Sequence, residues 1–213
     1  MASTSRSGPE ESAPGDFEPS TLDLARAARG GTPAEFARLY ERVAPAVQAW
    51  ACLRLRPRMR AQIEPEDLAQ EIWMRALALF PTSDASHGNF RAWVFSVAKL
   101  VMLELLRRQE RASIADGSGN SAVHAWLANV PEDVTSATHR IARSEVHALF
   151  LERVNGLEEE ERALVIHCGL EGLTCAEAAA RLGISSDAAL KRWQRLRARL
   201  GSDTATASLL AAE

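Results

Sequence analysis

The sequence is poor in aromatic residues, in cysteine and in long uncharged apolar runs, and each shortage narrows what the chain can be. Only 6% of its 213 residues are aromatic, with one tyrosine, while 46% are hydrophobic. The apolar set is therefore dominated by Ala and Leu, which favours helix over sheet. The three cysteines, Cys52, Cys168 and Cys175, are odd in number and scattered, with no CxxC. That argues against a disulfide-stapled scaffold, fits a reducing cytosol and leaves a redox role open. No HExxH or zinc-type spacing occurs, and His167-Cys168 with Cys175 matches no metal pattern. The expectation is no catalytic residue, no metal and no cofactor: the chain is not an enzyme. The first 20 residues, MASTSRSGPEESAPGDFEPS, have no apolar centre, so no signal peptide is expected there. Net charge is −3 and the isoelectric point about 6.0. The overall balance does not advertise nucleic-acid binding, so the positions of the 25 basic residues decide that question.

The richest apolar stretch is FRAWVFSVAKLVMLELLRR, from Phe90 to Arg108. Arg91, Lys99, Glu104, Arg107 and Arg108 charge its ends and middle, which a bilayer penalises. A helix apolar on nearly every side is instead the centre of a helical domain. Ahead of it, Thr21–Arg29 reads as a short helix. Thr32-Pro33-Ala34-Glu35 reads as a capped helix start, with Phe36, Leu39, Tyr40, Val43, Val47, Trp50 and Leu53 forming one stripe. Pro45 is expected to kink or break that helix. The basic run Arg54, Arg56, Arg58 and Arg60 reads as its solvated end. Asp67–Leu79 is then a two-faced helix, Leu68, Ile72, Ala76 and Leu79 inward, Asp67, Gln70, Glu71, Met74 and Arg75 outward. Met beside carboxylates and Gln suits a protein-docking ridge. Phe80–Asn89 is a polar loop, and His87 within it is read as incidental rather than as a ligand.

Beyond Arg108 the pattern dissolves through the flexible ADGSG of Ala115–Gly119, with a short helix around Val123–Leu127. A helix resumes near Thr138, with Ile141, Val146, Leu149, Phe150 and Val154 as its apolar set and Gly156 as its stop. Leu157–Gly169 is a further helix, whose opening acids Glu158 to Glu161 are read as serving the helix dipole. Thr174-Cys175-Ala176-Glu177 is a capping box. Ala178, Ala179 and Leu182 then form a short apolar face, Gly183-Ile184-Ser185 a turn, and Ser185 caps a second helix to about Arg199. This spacing is that of a DNA-reading helix–turn–helix. At about 100° per residue, Lys191, Arg192, Arg195 and Arg199 share one side, with Leu190, Trp193, Leu196 and Leu200 opposite. Only Asp187 interrupts the cationic side, which is spaced for phosphates and base edges. The expected fold is all-α: a tail (1–20), a first helical domain (21–112), a flexible linker (113–137), a second helical domain (138–201) and a C-terminal tail (202–213).

Three stretches, in order, carry a resemblance. They are FARLYERVAP (36–45) with DLAQEIWMRAL (67–77), then FRAWVFSVAKLVMLELLRR (90–108), then LEEEERALVIHCGLEGLTCAEAAARLGISSDAALKRWQRLRARL (157–200). Together they make the chain resemble the extracytoplasmic-function (ECF) sigma factors of bacterial RNA polymerase, with a region 2-like and a region 4-like domain. The resemblance implies a cytoplasmic, nucleoid-associated protein with no membrane insertion. It implies core RNA polymerase as partner, through the β′ clamp coiled coil and the β flap, together with promoter DNA and an anti-sigma protein. By position, polymerase docking falls on Asp67, Gln70, Glu71, Met74 and Arg75. Minus-ten contacts fall on Phe80, His87, Asn89, Arg91, Lys99, Leu100, Arg107 and Arg108. Minus-thirty-five contacts fall on Ser185, Ser186, Asp187, Ala188, Lys191, Arg192, Arg195 and Arg199. Two departures bear on readout. Lys99-Leu100 stands where many relatives have Arg-Asn, and Leu100 cannot hydrogen-bond a base edge. Ala188-Ala189-Leu190-Lys191 replaces a common Thr-Val-Lys-Ser. The rival reading is a helix–turn–helix regulator that binds DNA without recruiting polymerase, which leaves 67–108 with no role beyond packing.

Overall fold

The computed structural model describes residues 20–29, 33–83, 90–114, 141, 144–201 and 204–210. All regular elements among them are helical. The expectations for the N-terminal tail, the Thr32 cap, His87, Asn89, the ADGSG linker, Val123–Leu127 and Thr138 lie outside the described residues.

The first half contains α1 (Thr21–Arg29), α2 (Pro33–Arg54), the short α3 (Pro57–Arg60), α4 (Pro65–Leu79), a 3-10 turn (Phe80–Thr82) and α5 (Phe90–Ile114). Helix α2 packs on α1 and α4, and α4 packs on α5. Leu39, Val47, Trp50, Leu68, Ile72, Trp73, Phe95 and Leu105 are almost wholly buried between them. Each such side chain contributes roughly 1.5–3 kcal/mol by leaving water. An aromatic cluster closes one end: Phe80 meets Phe36, Phe90 and Trp93 edge-on or tilted, with ring centroids 5.4–6.0 Å apart.

Three expectations fail here for packing reasons. The break expected at Pro45 does not occur: α2 continues through it, with Val43, Ala44, Ala46 and Val47 all buried around that turn. In α4 the buried face is wider than one stripe, since it serves both α2 and α5; Ala69, Gln70 and Trp73 join it, while Leu79 is exposed. The central helix α5 is 25 residues long, past Arg108, and is not covered all round. Leu100, Leu103 and Leu106 are exposed along it.

The second half contains α6 (Glu145–Asn155), α7 (Glu159–Leu164) running on into a π-helical turn (Val165–Leu170), α8 (Cys175–Leu182), α9 (Ser186–Leu200) and α10 (Thr204–Leu210). Phe150 and Val154 anchor α6, but Val146 and Leu149 are exposed and His147 is buried instead. The segment expected as one regular helix to Gly169 rewinds at Val165: the N–H of Glu171 donates to the carbonyl of Ile166, five residues back. The expected C-terminal tail includes α10, with Leu209 and Leu210 buried. Gly169 admits it. A Cβ there would stand 2.6 Å from Leu210 Cδ2 and 2.9 Å from a Trp193 ring carbon.

The two halves are in contact. Helix α2 meets α6, α10 and the π-turn, and the buried apolar side chains of both halves form one continuous cluster.

Candidate functional site

The helix–turn–helix is built as its sequence dictates. Thr174 Oγ1 accepts from the Glu177 N–H at 3.2 Å, and Glu177 Oε2 accepts from the Thr174 N–H at 2.8 Å. Hydrogen bonds from the Thr174 backbone and then its side chain hold the Glu177 carboxyl below its usual range. Gly183 closes α8 at φ +68°, a left-handed turn that glycine adopts without strain. Ser185 Oγ then accepts from the Ala188 N–H at 3.2 Å and starts α9.

On α9, Ala189, Trp193, Leu196 and Leu200 face inward, whereas Leu190, expected among them, is exposed. Ser185, Ser186, Asp187, Lys191, Arg195 and Arg199 are exposed, and Ala188 and Arg192 half-buried. The cationic side is not free of acids. Arg192 pairs with Glu160, and Arg199 Nη2 lies 2.7 Å from Glu161 Oε2. A cavity of about 490 Å³ lies between these acids and Arg192, Arg195 and Arg199. The first-turn acids of α7 thus do more than serve the dipole: they answer the arginines of α9.

On α4, Asp67, Glu71 and Met74 are half-buried and Arg75 is exposed, forming a mixed ridge. Gln70 is not on it, being only 5% exposed. Arg75 Nη2 donates to both Glu104 oxygens, at 3.1 and 3.0 Å, tying α4 to α5. Burial pushes the Glu71 carboxyl up to about 7, against the pull of Arg75 and Arg108 and with Glu104 adding to it.

The residues expected to touch melted DNA divide. Phe80 is buried in the aromatic cluster. Arg91 is 5% exposed and reaches into the second half, donating to the carbonyls of Leu170 at 2.9 Å, Gly169 at 2.8 Å and Leu209. Gly169 and Leu170 end the π-turn and Leu209 lies at the end of α10, where carbonyls have no partner within their own helix. Among the described side chains of α5, Leu100 is the most exposed large apolar one, at 57%. Arg107 is exposed and Arg108 half-buried.

Lys99 leads to a centre that sequence reasoning missed. Glu171 ends the apolar π-turn with its side chain fully buried. Its Oε1 accepts from Trp50 Nε1 at 2.9 Å and Arg54 Nη2 at 2.7 Å. Its Oε2 lies 2.9 Å from Lys99 Nζ, 3.1 Å from His167 Nδ1 and 3.5 Å from Arg181 Nη1. Burial alone would raise this carboxyl. The hydrogen bonds from His167, Trp50, Lys99 and Arg54 outweigh it and hold the group well below the carboxylate range. Arg54, expected as part of a solvated run, is the nearest of these donors. The only sequence signal was a lone acid closing an otherwise apolar stretch.

Among the described residues no three His, Cys, Asp or Glu side chains converge to hold a metal ion. Burial raises the Cys168 thiol to about 12, with Cys175 adding, and the Cys52 thiol to about 11, which makes both poor nucleophiles. Among the described residues no helix is long and apolar enough to cross a membrane.

Residues 39–112 match the sequence profile of Sigma-70 region 2 and residues 147–200 that of Sigma-70, region 4, together more than half of the chain. The chain is 26% identical over 173 residues to the ECF RNA polymerase sigma factor BldN of Streptomyces coelicolor. That match takes in 81% of this chain and 61% of BldN, so the chain spans under two thirds of that relative. Among solved structures it is similar to CnrH in complex with the cytosolic domain of CnrY. There the identity is 23%, covering 84% of this chain and 93% of CnrH, at a TM-score of 0.39.

Proposed function

The chain belongs to the sigma-70 family, as a factor of the ECF kind carrying regions 2 and 4, and on that premise we propose that it is an alternative sigma factor. It binds core RNA polymerase, engages the minus-ten and minus-thirty-five elements and starts transcription; it acts as an initiation factor and performs no chemistry of its own. The observation that carries this reading is the pairing, in one chain, of a capped helix–turn–helix with a region 2 bundle that presents the mixed ridge Asp67, Glu71, Met74 and Arg75.

The ridge suits docking because Asp67 and Glu71 are half-desolvated and Arg75 is held in place by Glu104 of α5, so a partner finds that cation preorganised. On α9, Lys191 and Arg195 offer outward cations to a duplex, with Ser185 and Ser186 at the helix start within reach of phosphates. Exposed Leu100 in mid-α5 replaces a base-edge hydrogen bond with an apolar contact. Minus-ten readout accordingly leans on shape and on the neighbouring cations Arg107 and Arg108. The family also implies an anti-sigma protein over the polymerase-binding faces.

Co-elution of the purified protein with bacterial core RNA polymerase tests this, with Glu71→Arg as control. The expected result is a complex that Glu71→Arg abolishes while its helical circular dichroism stays that of the parent. Failure of the folded parent to bind would leave a DNA-binding regulator. A control that still binds would misplace the docking ridge.

A further inference from the structure

We propose that Trp50, Arg54 and Lys99 form an anion site on the first domain, that its partner in transcription is a phosphodiester of promoter DNA, and that Glu171 of the second domain occupies it in the closed protein. The inference rests on the sigma-factor reading for DNA as the ligand, and on geometry for the site.

Three donors from two helices converge on one carboxylate: an indole N–H, a guanidinium and an ammonium, none of which can accept a hydrogen bond. Arg54 also lies over the Trp50 ring, its guanidinium carbon 5.8 Å from the centroid, which fixes the direction of its fork. The remaining partners of Glu171, His167 and Arg181, belong to the second domain and leave with it. When the halves part, the first domain is left with a built cluster of donors and no acceptor. A carboxylate and a phosphodiester each present two anionic oxygens on one atom, and a guanidinium fork fits both. The site has capacity beyond a carboxylate: Arg54 Nε is buried without a partner in the closed form. A phosphodiester, with four oxygens around phosphorus, can supply the additional acceptor.

The same closure takes Arg91 out of use, its guanidinium capped by carbonyls of the π-turn and of α10. When the halves part, Arg54 and Lys99 lose Glu171 and Arg91 loses the carbonyls of Gly169, Leu170 and Leu209 in one movement. Glu171 acts as an internal competitor for the DNA backbone.

The test uses the full chain, Glu171→Gln, and a fluorescein-labelled DNA duplex of mixed sequence without polymerase. Glu171→Gln keeps the side-chain shape but removes the charge. X-ray scattering should show a larger radius of gyration. Affinity at low salt should rise on the order of tenfold, from two cation–phosphate contacts that the closed parent does not make. The log–log salt slope should steepen by about 2 for the two added cation–phosphate contacts. Adding Arg54→Ala should cancel much of that gain and return about one unit of slope. An expanded Glu171→Gln protein with unchanged affinity would overturn the site. So would a gain that survives Arg54→Ala, since the freed helix–turn–helix would then account for it. An unexpanded variant would overturn the role of Glu171 in closure. Should Glu171→Gln fail to fold, Glu171→Asp, which withdraws the charge by one methylene, takes its place with the same outcomes. Core-polymerase binding is scored separately, so loss of the sigma reading would leave this DNA measurement standing.

Discussion

At the scale of single residues, three of the cations that the sequence marks for DNA are already bound to carboxylates. Arg192 and Arg199 answer Glu160 and Glu161, and Lys99 answers Glu171. The α7 pairs are exposed, so each adds little to stability, on the order of 0–1 kcal/mol. They still lower the cationic field of α9 and must be broken before a phosphate can replace them. Glu160→Gln should therefore strengthen duplex binding by about two- to tenfold at low salt while leaving Tm within a degree or two. Arg195→Ala, which removes an outward cation with no carboxylate partner among the described residues, should weaken binding by up to about 1–3 kcal/mol if it reaches a base edge. Fluorescence anisotropy on one duplex measures both. Equal losses over many duplex sequences would mark Arg195 as a phosphate contact.

At the scale of elements, the helix–turn–helix was legible because its instructions are local. The Thr174–Glu177 box, the left-handed Gly183 and the Ser185 cap each act within a few residues, and a helical wheel placed Trp193, Leu196 and Leu200 correctly. Where a helix meets two neighbours, one stripe is too narrow a description. Gln70 was drawn into the core that way, and Leu190, Val146 and Leu149 were placed in it wrongly. The π-turn was not legible, since Gly169, the weakest helix former in VIHCGL, reads equally as an ordinary helix end; tertiary packing of α10 on Gly169 goes with it. Gly169→Ala should accordingly destabilise the protein by roughly 1–3 kcal/mol through overpacking against Leu210 and Trp193. Thermal unfolding checks this, and a neutral result would mean that α10 yields easily.

At the scale of the whole molecule, the meeting of the two halves could not be read from sequence. Trp50, Lys99 and Glu171 lie far apart in the chain, and no local periodicity couples them. That contact also shapes the response to acid. Because the Glu171 carboxyl is held low, the stabilisation it contributes is present above the ordinary Glu value and disappears only as pH falls through its depressed one. His147 behaves differently. Burial lowers it to about 4, and its buried Nε2 has no partner. The unfolded chain then binds the extra proton first, so stability falls as pH drops from about 6.5 to about 4, by on the order of 3 kcal/mol in full. Glu71, raised to about 7, takes up its proton in the folded state over the same range and works the other way, so the His147 loss is read as the difference between the parent and His147→Leu in urea unfolding at pH 7 and pH 5. An unchanged slope in the variant would assign the acid sensitivity elsewhere.

The π-turn has a consequence for chain length rather than for composition. A helix that closes bonds five residues back holds one residue more than a regular turn, and each residue advances the direction of the next side chain by about 100°. Deleting one residue between Val165 and Leu170 would let the segment relax to regular winding and swing Glu171 away from Trp50, Arg54 and Lys99 with every functional side chain still present. Substitution scanning is blind to such a setting. In this protein the angular phase of one acid, and with it the choice between a shut and a spread molecule, is recorded as a count of residues.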